Sequence, residues 1–419
     1  MELFLKNIGK IGEASLVIDG ITVIAGENNT GKSTVGRALF AVFNSFCDSE
    51  SQVRQARIKS ITGLIERRRF GWDLEYSVAG RMLAPKFVYQ MDKYKSNPDL
   101  IRNELIRTFS EEEIEKISSP EKYFDDLVRF IIERLDIPGE KIFQVVLENR
   151  LESEFDNQIN NIFLPGGGQI RLRTDVGELS VDIVDHKVAA ISDPDNIRFY
   201  NEAVYIDDPL VLDELNLYQG RFSGNHRSHL LENLRKSDEK EINPVDKAVA
   251  AQKLEKINRI ISSVCEGTIV FDQRLHYGYR KAGSDKVLSI RNLSMGLKTF
   301  VILKRLLACG RIGEKSMVIL DEPEIHLHPK WQLLFAELII LLHREFHMDI
   351  LLNTHSPYFL NAIEVYAARY DVAKQCRYYM ASMRQDVAAF ENVTDHIELI
   401  YSKLASPLQE LENERYRNA

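Results

Sequence analysis

Residues 21–34 read Ile21-Thr22-Val23-Ile24-Ala25-Gly26-Glu27-Asn28-Asn29-Thr30-Gly31-Lys32-Ser33-Thr34, and the next twelve carry Val35, Leu39, Val42, Phe43 and Phe46 along one side. The first five residues predict a buried strand, and Lys32 to Phe46 predicts a helix from its 3.6-residue period. Strand, glycine loop and helix is the setting in which Gly-x4-Gly-Lys-Ser cradles phosphate. Gly26 and Gly31 let the backbone curl through Asn28, Asn29 and Thr30, so that successive N–H groups face phosphate oxygens. The helix N-terminus behind the loop adds a favourable dipole. Lys32 supplies a point charge for β- and γ-phosphates, Ser33 offers a hydroxyl to Mg²⁺, and Thr34 can bond a further phosphate oxygen. The ligand expected here is a nucleoside triphosphate with Mg²⁺.

Upstream, Leu3 to Ile8 and Ala14 to Ile18 predict two more strands, with Asp19-Gly20 as a tight hairpin signal. Far downstream the α/β rhythm returns. Leu297 to Cys309 predicts a helix stopped by Gly310. Met317-Val318-Ile319-Leu320 predicts a strand ending in Asp321-Glu322-Pro323. Pro329 to Phe346 predicts a helix, and Asp349 to Asn353 a strand ending at Thr354-His355-Ser356-Pro357. Such alternation implies a mostly parallel sheet with ligands at the carboxyl ends of its strands. An apolar strand closed by two carboxylates suits phosphoryl chemistry: Asp321 would hold Mg²⁺, and Glu322 would orient or deprotonate the attacking water. Ser294 and Gly296, in Asn292-Leu293-Ser294-Met295-Gly296-Leu297-Lys298, could offer a hydroxyl and backbone donors to a phosphate; a simple helix cap at Ser294 is the competing reading. His355 could donate to a γ-phosphate or be a satisfied loop histidine.

Between these halves the character changes. Glu111 to Ile117, Lys122 to Leu135 and Glu140 to Leu151 predict amphipathic helices. After the Pro165-Gly166-Gly167-Gly168 turn, Gln169 to Ile191 alternates as one or two hairpins. Ala203 to Ile206 predicts a buried strand ending at Asp207-Asp208-Pro209, and Pro244 to Val264 a helix. The expected division is a head of residues 1–48 and 263–419, interrupted by a mainly helical insertion with a β-hairpin at 49–262.

With 419 residues, 44% hydrophobic and 28% charged, the chain has the balance of a folded protein, and its net charge of −8 argues against a surface coated for nucleic acid. Arg67-Arg68-Arg69, with Arg54, Arg57 and Lys59 upstream, is the strongest basic cluster: a solvated helix face, or a contact for nucleic-acid phosphates. Cys47, Cys265, Cys309 and Cys376 are scattered without a Cys-x-x-Cys pair, which speaks for reduced thiols rather than zinc. Met1 to Lys6 lacks a signal-peptide run, and the greasiest stretch, Leu333 to Leu342, contains Glu337 and is too short for a bilayer; a cytoplasmic protein without membrane contact is expected. Arg221 to His226 has the Arg-x4-His spacing of HEPN ribonucleases, but Ser223, Gly224 and Asn225 are poor helix residues, so the match reads as chance.

Taken in order, the P-loop, Leu293-Ser294-Met295-Gly296-Leu297-Lys298, Leu320-Asp321-Glu322-Pro323-Glu324-Ile325-His326-Leu327-His328-Pro329 and Thr354-His355-Ser356-Pro357 resemble the ABC-type ATPase superfamily. The signature lacks the second glycine and the glutamine of the transporter form and is similar to that of the soluble SMC, RecF and OLD branch. The string as a whole looks most like the OLD-like AAA-type ATPases of bacterial anti-phage systems, a group that includes the Septu and PARIS ATPase subunits. The resemblance covers roughly residues 1–45 and 265–370. It implies an ABC/SMC-head-like α/β fold, ATP and Mg²⁺ as ligands, and ATP hydrolysis with Glu322 and His355 as catalytic residues. It also implies ATP sandwiched in a homodimer or larger assembly, with Ser294, Gly296 and Lys298 reaching the γ-phosphate of the other subunit. Gln90 is the candidate for the family's glutamine loop. Asp321, Glu322, His326, His328 and His355 could also be drawn as a transition-metal site, although the family layout makes them loop residues at the dimer interface. No Toprim nuclease signature follows His355. The expected function is therefore an ATPase that regulates a separate nuclease or toxin in phage defence; the alternative is a RecF- or SMC-like DNA-repair or chromosome-associated ATPase.

Overall fold

The computed structural model describes residues 1–70, 79–115, 117–192, 199, 201–216, 224–235 and 244–417, except for the side chains of 67–70, 244–252, 408, 409, 412, 416 and 417. The chain forms two compact units: a head built from Met1–Cys47 and Asn149–Ala419, and an inserted unit, Asp48–Glu148.

The head opens with β1 (Glu2–Ile8), β2 (Ile11–Val17) and β3 (Ile21–Gly26), then the P-loop and α1 (Lys32–Phe46). The inserted unit holds α2 (Ser49–Phe70), α3 (Ala79–Tyr89), α4 (Met91–Ser96), α5 (Pro98–Thr108), α6 (Glu111–Glu115), α7 (Pro120–Asp136) and the first part of α8 (Gly139–Phe155). Its own core gathers Ile61, Phe87, Tyr94, Ile101, Phe124, Leu127 and Ile131. Arg57, counted above with the basic cluster, is buried there. Its guanidinium donates to the carbonyls of Arg134 (3.0 Å), Leu135 and Ile137 (2.8 Å), where α7 runs out of internal partners.

The chain returns to the head with β4 (Gly168–Thr174), β5 (Gly177–Val184), β6 (Lys187–Ser192), β7 (Val204–Ile206), a 3-10 turn at Pro209–Glu214, α9 (His226–Arg235) and α10 (Pro244–Val264). Then come β8 (Gly267–Asp272), β9 (His276–Lys281), β10 (Val287–Ser289), α11 (Met295–Ala308), β11 (Met317–Asp321), α12 (Pro329–Phe346), β12 (Asp349–Thr354), α13 (Pro357–Arg369), β13 (Cys376–Arg384), β14 (Val387–Asn392) and α14 (Glu398–Arg417).

One mixed sheet of eleven strands, in the order β6-β5-β4-β1-β2-β14-β13-β3-β12-β11-β7, carries the head; β10-β9-β8 form a small second sheet. The run β13-β3-β12-β11-β7 is parallel throughout, whereas β6, β5, β4, β1 and β2 are antiparallel. This is the expected α/β head with antiparallel N-terminal strands. The two halves differ as their sequences do. Every residue of β3 is buried, as a strand covered on both faces requires, whereas β5 alternates.

Two expectations about connectivity change. Residues 149–262 belong to the head rather than to the insertion, which ends at Glu148. Ile170 and Leu172, buried every second residue, find their partners by pairing β4 to β1, with Leu5 opposite Ile170. Asp19-Gly20 does make a tight turn, with Gly20 at φ +67°, but it does not close a hairpin: β14 and β13 lie between β2 and β3. Gly20 N instead donates to Asp349 Oδ1 at 2.9 Å, tying the turn to the start of β12.

Candidate nucleotide site

The registers align four carboxyl ends. Ala25 lies opposite Thr354, Asn353 opposite Asp321, and Leu320 opposite Ile206. The P-loop, His355, Glu322 and Asp207 therefore leave one edge of the sheet side by side, the position where doubly wound folds bind ligands.

Gly26 is needed where β3 ends, because a Cβ there would fall 2.4 Å from the Ala381 carbonyl oxygen of β13. Asn29 (φ +67°) and Gly31 (φ +79°) take left-handed backbone and curl the loop into the start of α1. Lys32 fills the curl. It is 4% exposed, and its Nζ donates to Gly26 O (3.0 Å) and Glu27 O (2.7 Å) and stands 3.5 Å from Glu322 Oε1. Burial holds its ammonium below the ordinary lysine range, against the opposing pull of Glu322, Asp321 and Glu324. Thr30 Oγ1 donates to Glu27 O at 2.8 Å, and Lys10 Nζ bonds Asn29 Oδ1.

Asp321 closes β11. Tyr205 donates its hydroxyl to Asp321 Oδ2 at 2.9 Å, and Asn353 Nδ2 donates to Oδ1 at 2.9 Å. Neither of these donors is a cation. With the Ser33 hydroxyl the Asp321 carboxylate supplies hard oxygen donors of the kind Mg²⁺ takes beside phosphates and water. Glu322 adopts φ +49°, which aims its side chain back over the loop. Its Oε1 lies 3.5 Å from Lys32 Nζ and 3.3 Å from His355 Nδ1, the latter within charge-pairing range but not aligned as a hydrogen bond. Glu324 is buried and accepts from Thr354 Oγ1 at 2.5 Å; burial pushes its carboxyl above the usual range.

A cavity of about 360 Å³ opens on the loop. Asn29 to Thr34 and Glu322 form one wall; Phe155, Gln158, Asn160, Ile162 and Phe163 form another. Ile162 and Phe163 are 59% and 70% exposed. Their loop is stapled to the β1–β2 turn: Asn161 N donates to Asn7 O (3.1 Å), Gly9 N to Ile159 O (2.8 Å) and Phe163 N to Asn161 Oδ1 (2.8 Å). Sequence reasoning did not single out Lys10, Arg37, Phe155, Gln158, Ile162 or Phe163. The signal was an apolar pair, Ile162-Phe163, between Asn160-Asn161 and a glycine turn, where burial is not expected.

The model of the family described as "AAA domain, putative AbiEii toxin, Type IV TA system" matches residues 21–361. The chain belongs to this AAA-type P-loop ATPase family. It is 30% identical over 128 residues to the OLD nuclease of Thermus scotoductus (strain ATCC 700910 / SA-01), covering 30% of this chain and 24% of that one. It is 32% identical over 120 residues to the Retron Vc95 probable ATPase of Vibrio cholerae serotype O1 biovar El Tor, covering 26% and 22%. The chain thus spans about a quarter of the length of these relatives. Among solved structures, the SMC head domain from Thermotoga maritima is similar over 94% of this chain and 98% of its own, at 14% identity and a TM-score of 0.38. The SmcHead bound to the C-winged helix domain of ScpA is similar over 93% and 97%, at 11% and 0.42.

The signature of this P-loop ATPase family member divides. Ser294 is exposed and caps α11, its Oγ accepting from Leu297 N at 3.4 Å. Gly296 is buried: a Cβ would meet His326 O at 2.9 Å and the Trp331 ring at 3.2 Å, so packing alone requires a glycine. Lys298 departs from the expectation of a cation offered to a phosphate. It is 2% exposed, and its Nζ donates to Asp213 Oδ1 at 2.6 Å. It sits one helical turn beyond Ser294, on the face of α11 that packs inward.

Gln90 stands at the N-cap of α4 in the inserted unit. The strand beside β11 is β7, and its carboxyl end carries Asp207-Asp208. His328 caps α12, its Nδ1 accepting from Lys330 N at 3.3 Å, and His326 is exposed. Among the described residues no group of three or more His, Cys, Asp or Glu side chains is arranged to hold a metal by itself. Arg67, Arg68 and Arg69 lie on α2, with their side chains outside the described residues; residues 221–223 of the Arg-x4-His match also lie outside the described residues. The four cysteines are buried and form no disulfide, and no helix among the described residues is long and apolar enough to cross a membrane.

Proposed function

We propose that this protein binds ATP with Mg²⁺ in the P-loop cavity, hydrolyses it, and pairs through the nucleotide with a second copy. The observation that carries the reading is the Glu322 carboxylate, held between Lys32 at 3.5 Å and His355 at 3.3 Å on the wall of the cavity that Gly31 to Thr34 also line. A carboxylate so placed can orient water and take its proton, while Lys32 is released to β- and γ-phosphates once they displace the Gly26 and Glu27 carbonyls. Mg²⁺, held by Ser33 and Asp321, would neutralise phosphate charge. Phe155, Ile162 and Phe163 offer apolar surface to a base. Exposed Ser294, at the free end of α11, can reach a γ-phosphate on another subunit. The test is Glu322→Gln: ATP is still bound, phosphate release falls by about 10²–10⁴-fold, and ATP shifts the variant's mass toward a dimer that Ser294→Arg prevents. Unchanged turnover in Glu322→Gln would remove the catalytic role.

The family and its named relatives support a place in defence, as an ATPase that controls a separate nuclease or toxin. ATP-dependent degradation of DNA or RNA by the purified chain alone would overturn the separate effector. Tight, salt-sensitive DNA binding that changes with ATP would favour a repair role instead.

A further inference from the structure

Beneath the nucleotide site lies a buried ionic cluster that the proposed chemistry does not use. His226, the first residue of α9, is 7% exposed. Its Nδ1 lies 2.6 Å from Glu154 Oε2, its Nε2 lies 3.1 Å from Asp207 Oδ2, and its backbone N–H donates to Glu154 Oε1 at 2.5 Å. Two carboxylates from separate elements thus hold one imidazole by both nitrogens, an arrangement that fixes the ring in its plane. Arg150, one turn before Glu154 on α8, and Arg227, beside Asp207, add positive charge around it.

The ring's flat face is stacked on Tyr205, with centroids 4.4 Å apart and planes 25° apart. Phe40 of α1 closes edge-on against both rings. Tyr205 can hardly move: Gly36 of α1 leaves only the room of a missing Cβ beside its hydroxyl, 3.1 Å from where that atom would stand. That hydroxyl is the group that donates to Asp321 Oδ2.

We propose that the Glu154–His226–Asp207 cluster is a positioning unit for the metal carboxylate: it fixes Tyr205, and Tyr205 fixes Asp321. The inference rests on the reading of Asp321 as the Mg²⁺-holding residue. Groups that orient a metal ligand without touching the metal typically contribute ten- to a hundredfold in metal affinity. A cluster that merely knits α8, β7 and α9 together would contribute to stability and leave metal dependence alone.

Two variants separate these roles. Tyr205→Phe keeps the stacked ring and loses only the hydroxyl; His226→Gln keeps a polar side chain and loses the paired imidazole. The readout is the Mg²⁺ concentration at half-saturation for binding of a fluorescent ATP analogue, with Mg²⁺-free binding of the same analogue measured alongside. Both variants are expected to raise that midpoint roughly tenfold or more and leave Mg²⁺-free binding unchanged. The double variant should be no worse than the more damaging single one, since both act on the same bond. A lower melting temperature with an unchanged Mg²⁺ midpoint in His226→Gln would overturn the proposal, and if that variant does not fold, an unchanged midpoint in Tyr205→Phe does so alone. Failure of the underlying reading shows elsewhere, as an unchanged Mg²⁺ midpoint in Asp321→Asn.

Discussion

Two lysines were expected to meet phosphate, Lys32 in the P-loop and Lys298 beyond the signature, and both are nearly buried. Their surroundings differ. Lys32 is held by two backbone carbonyls and stands 3.5 Å from its nearest carboxylate. Lys298 is locked at 2.6 Å to Asp213. Carbonyl partners and a carboxylate at 3.5 Å leave the charge of Lys32 only partly compensated, and burial works against it, so a phosphate is a better partner than those it has. Lys298 has already been neutralised, and a phosphate would have to displace a carboxylate in a largely dry setting. Burial alone therefore does not mark a lysine as structural or functional; what it is bonded to does.

The most direct way to break this comparison is to remove each charge. Lys298→Met leaves Asp213 without its cation and is expected to cost about 3 kcal/mol of stability, with nucleotide affinity close to wild type. Lys32→Ala should do the reverse: nucleotide binding weakens roughly 10- to 100-fold, the worth of charge-assisted bonds, while stability holds or rises because a desolvated charge is gone. Thermal melts and nucleotide titrations on both variants read the two effects. Equal loss of nucleotide affinity in both would return Lys298 to the phosphate.

What was legible follows from how far apart the partners are in sequence. The P-loop, the Asp321-Glu322 pair and His355 read correctly as ends of apolar strands because the strand and its last polar residue are contiguous, and the parallel registers then bring them together. Lys298 misled because its partner lies 85 residues earlier, in the turn after β7. Gly296 carried a second meaning that no local pattern shows, the approach of the His326 carbonyl. The alternation in β4 and β5 announced strands but not neighbours; the pairing of β4 with β1 and of β7 with β11 joins 149–262 to the head. His226 stood inside a match set aside as chance; its burial between Glu154 and Asp207 depends on residues 72 and 19 positions away.

The same contrast between a waiting charge and a satisfied one predicts pH behaviour. Burial alone would lower the His226 pKa, but hydrogen bonds and charges from Asp207 and Glu154 outweigh it and raise it to about 9 from 6.5. A group bound more tightly to its proton when folded contributes stability that is fully present below pH 6.5 and lost as pH rises through about 9. The shift corresponds to something on the order of 3 kcal/mol. Denaturation series on wild type and His226→Gln should show a stability gap that is widest near pH 6 and shrinks steadily toward pH 9. A gap independent of pH would mean that His226 binds its proton no more tightly in the folded protein than in the unfolded chain.

The smallest expected effect tests whether the apolar wall of the cavity belongs to the site as the P-loop does. Phe163 presents 70% of its surface although it is large and apolar, on a loop pinned by three hydrogen bonds to its neighbours and to the β1–β2 turn. An exposed aromatic held rigid costs little to order and gives a flat face to a base. Phe163→Ala is expected to weaken ATP binding by about 1 kcal/mol, roughly fivefold, the low end of base–aromatic stacking. Inorganic triphosphate, which has no base, should compete equally well against both proteins, because it needs only the wall that Lys32 and Glu322 share. A parallel loss for triphosphate would show that Phe163 supports the loop itself rather than the base, and the cavity would then be a phosphate site with an apolar rim.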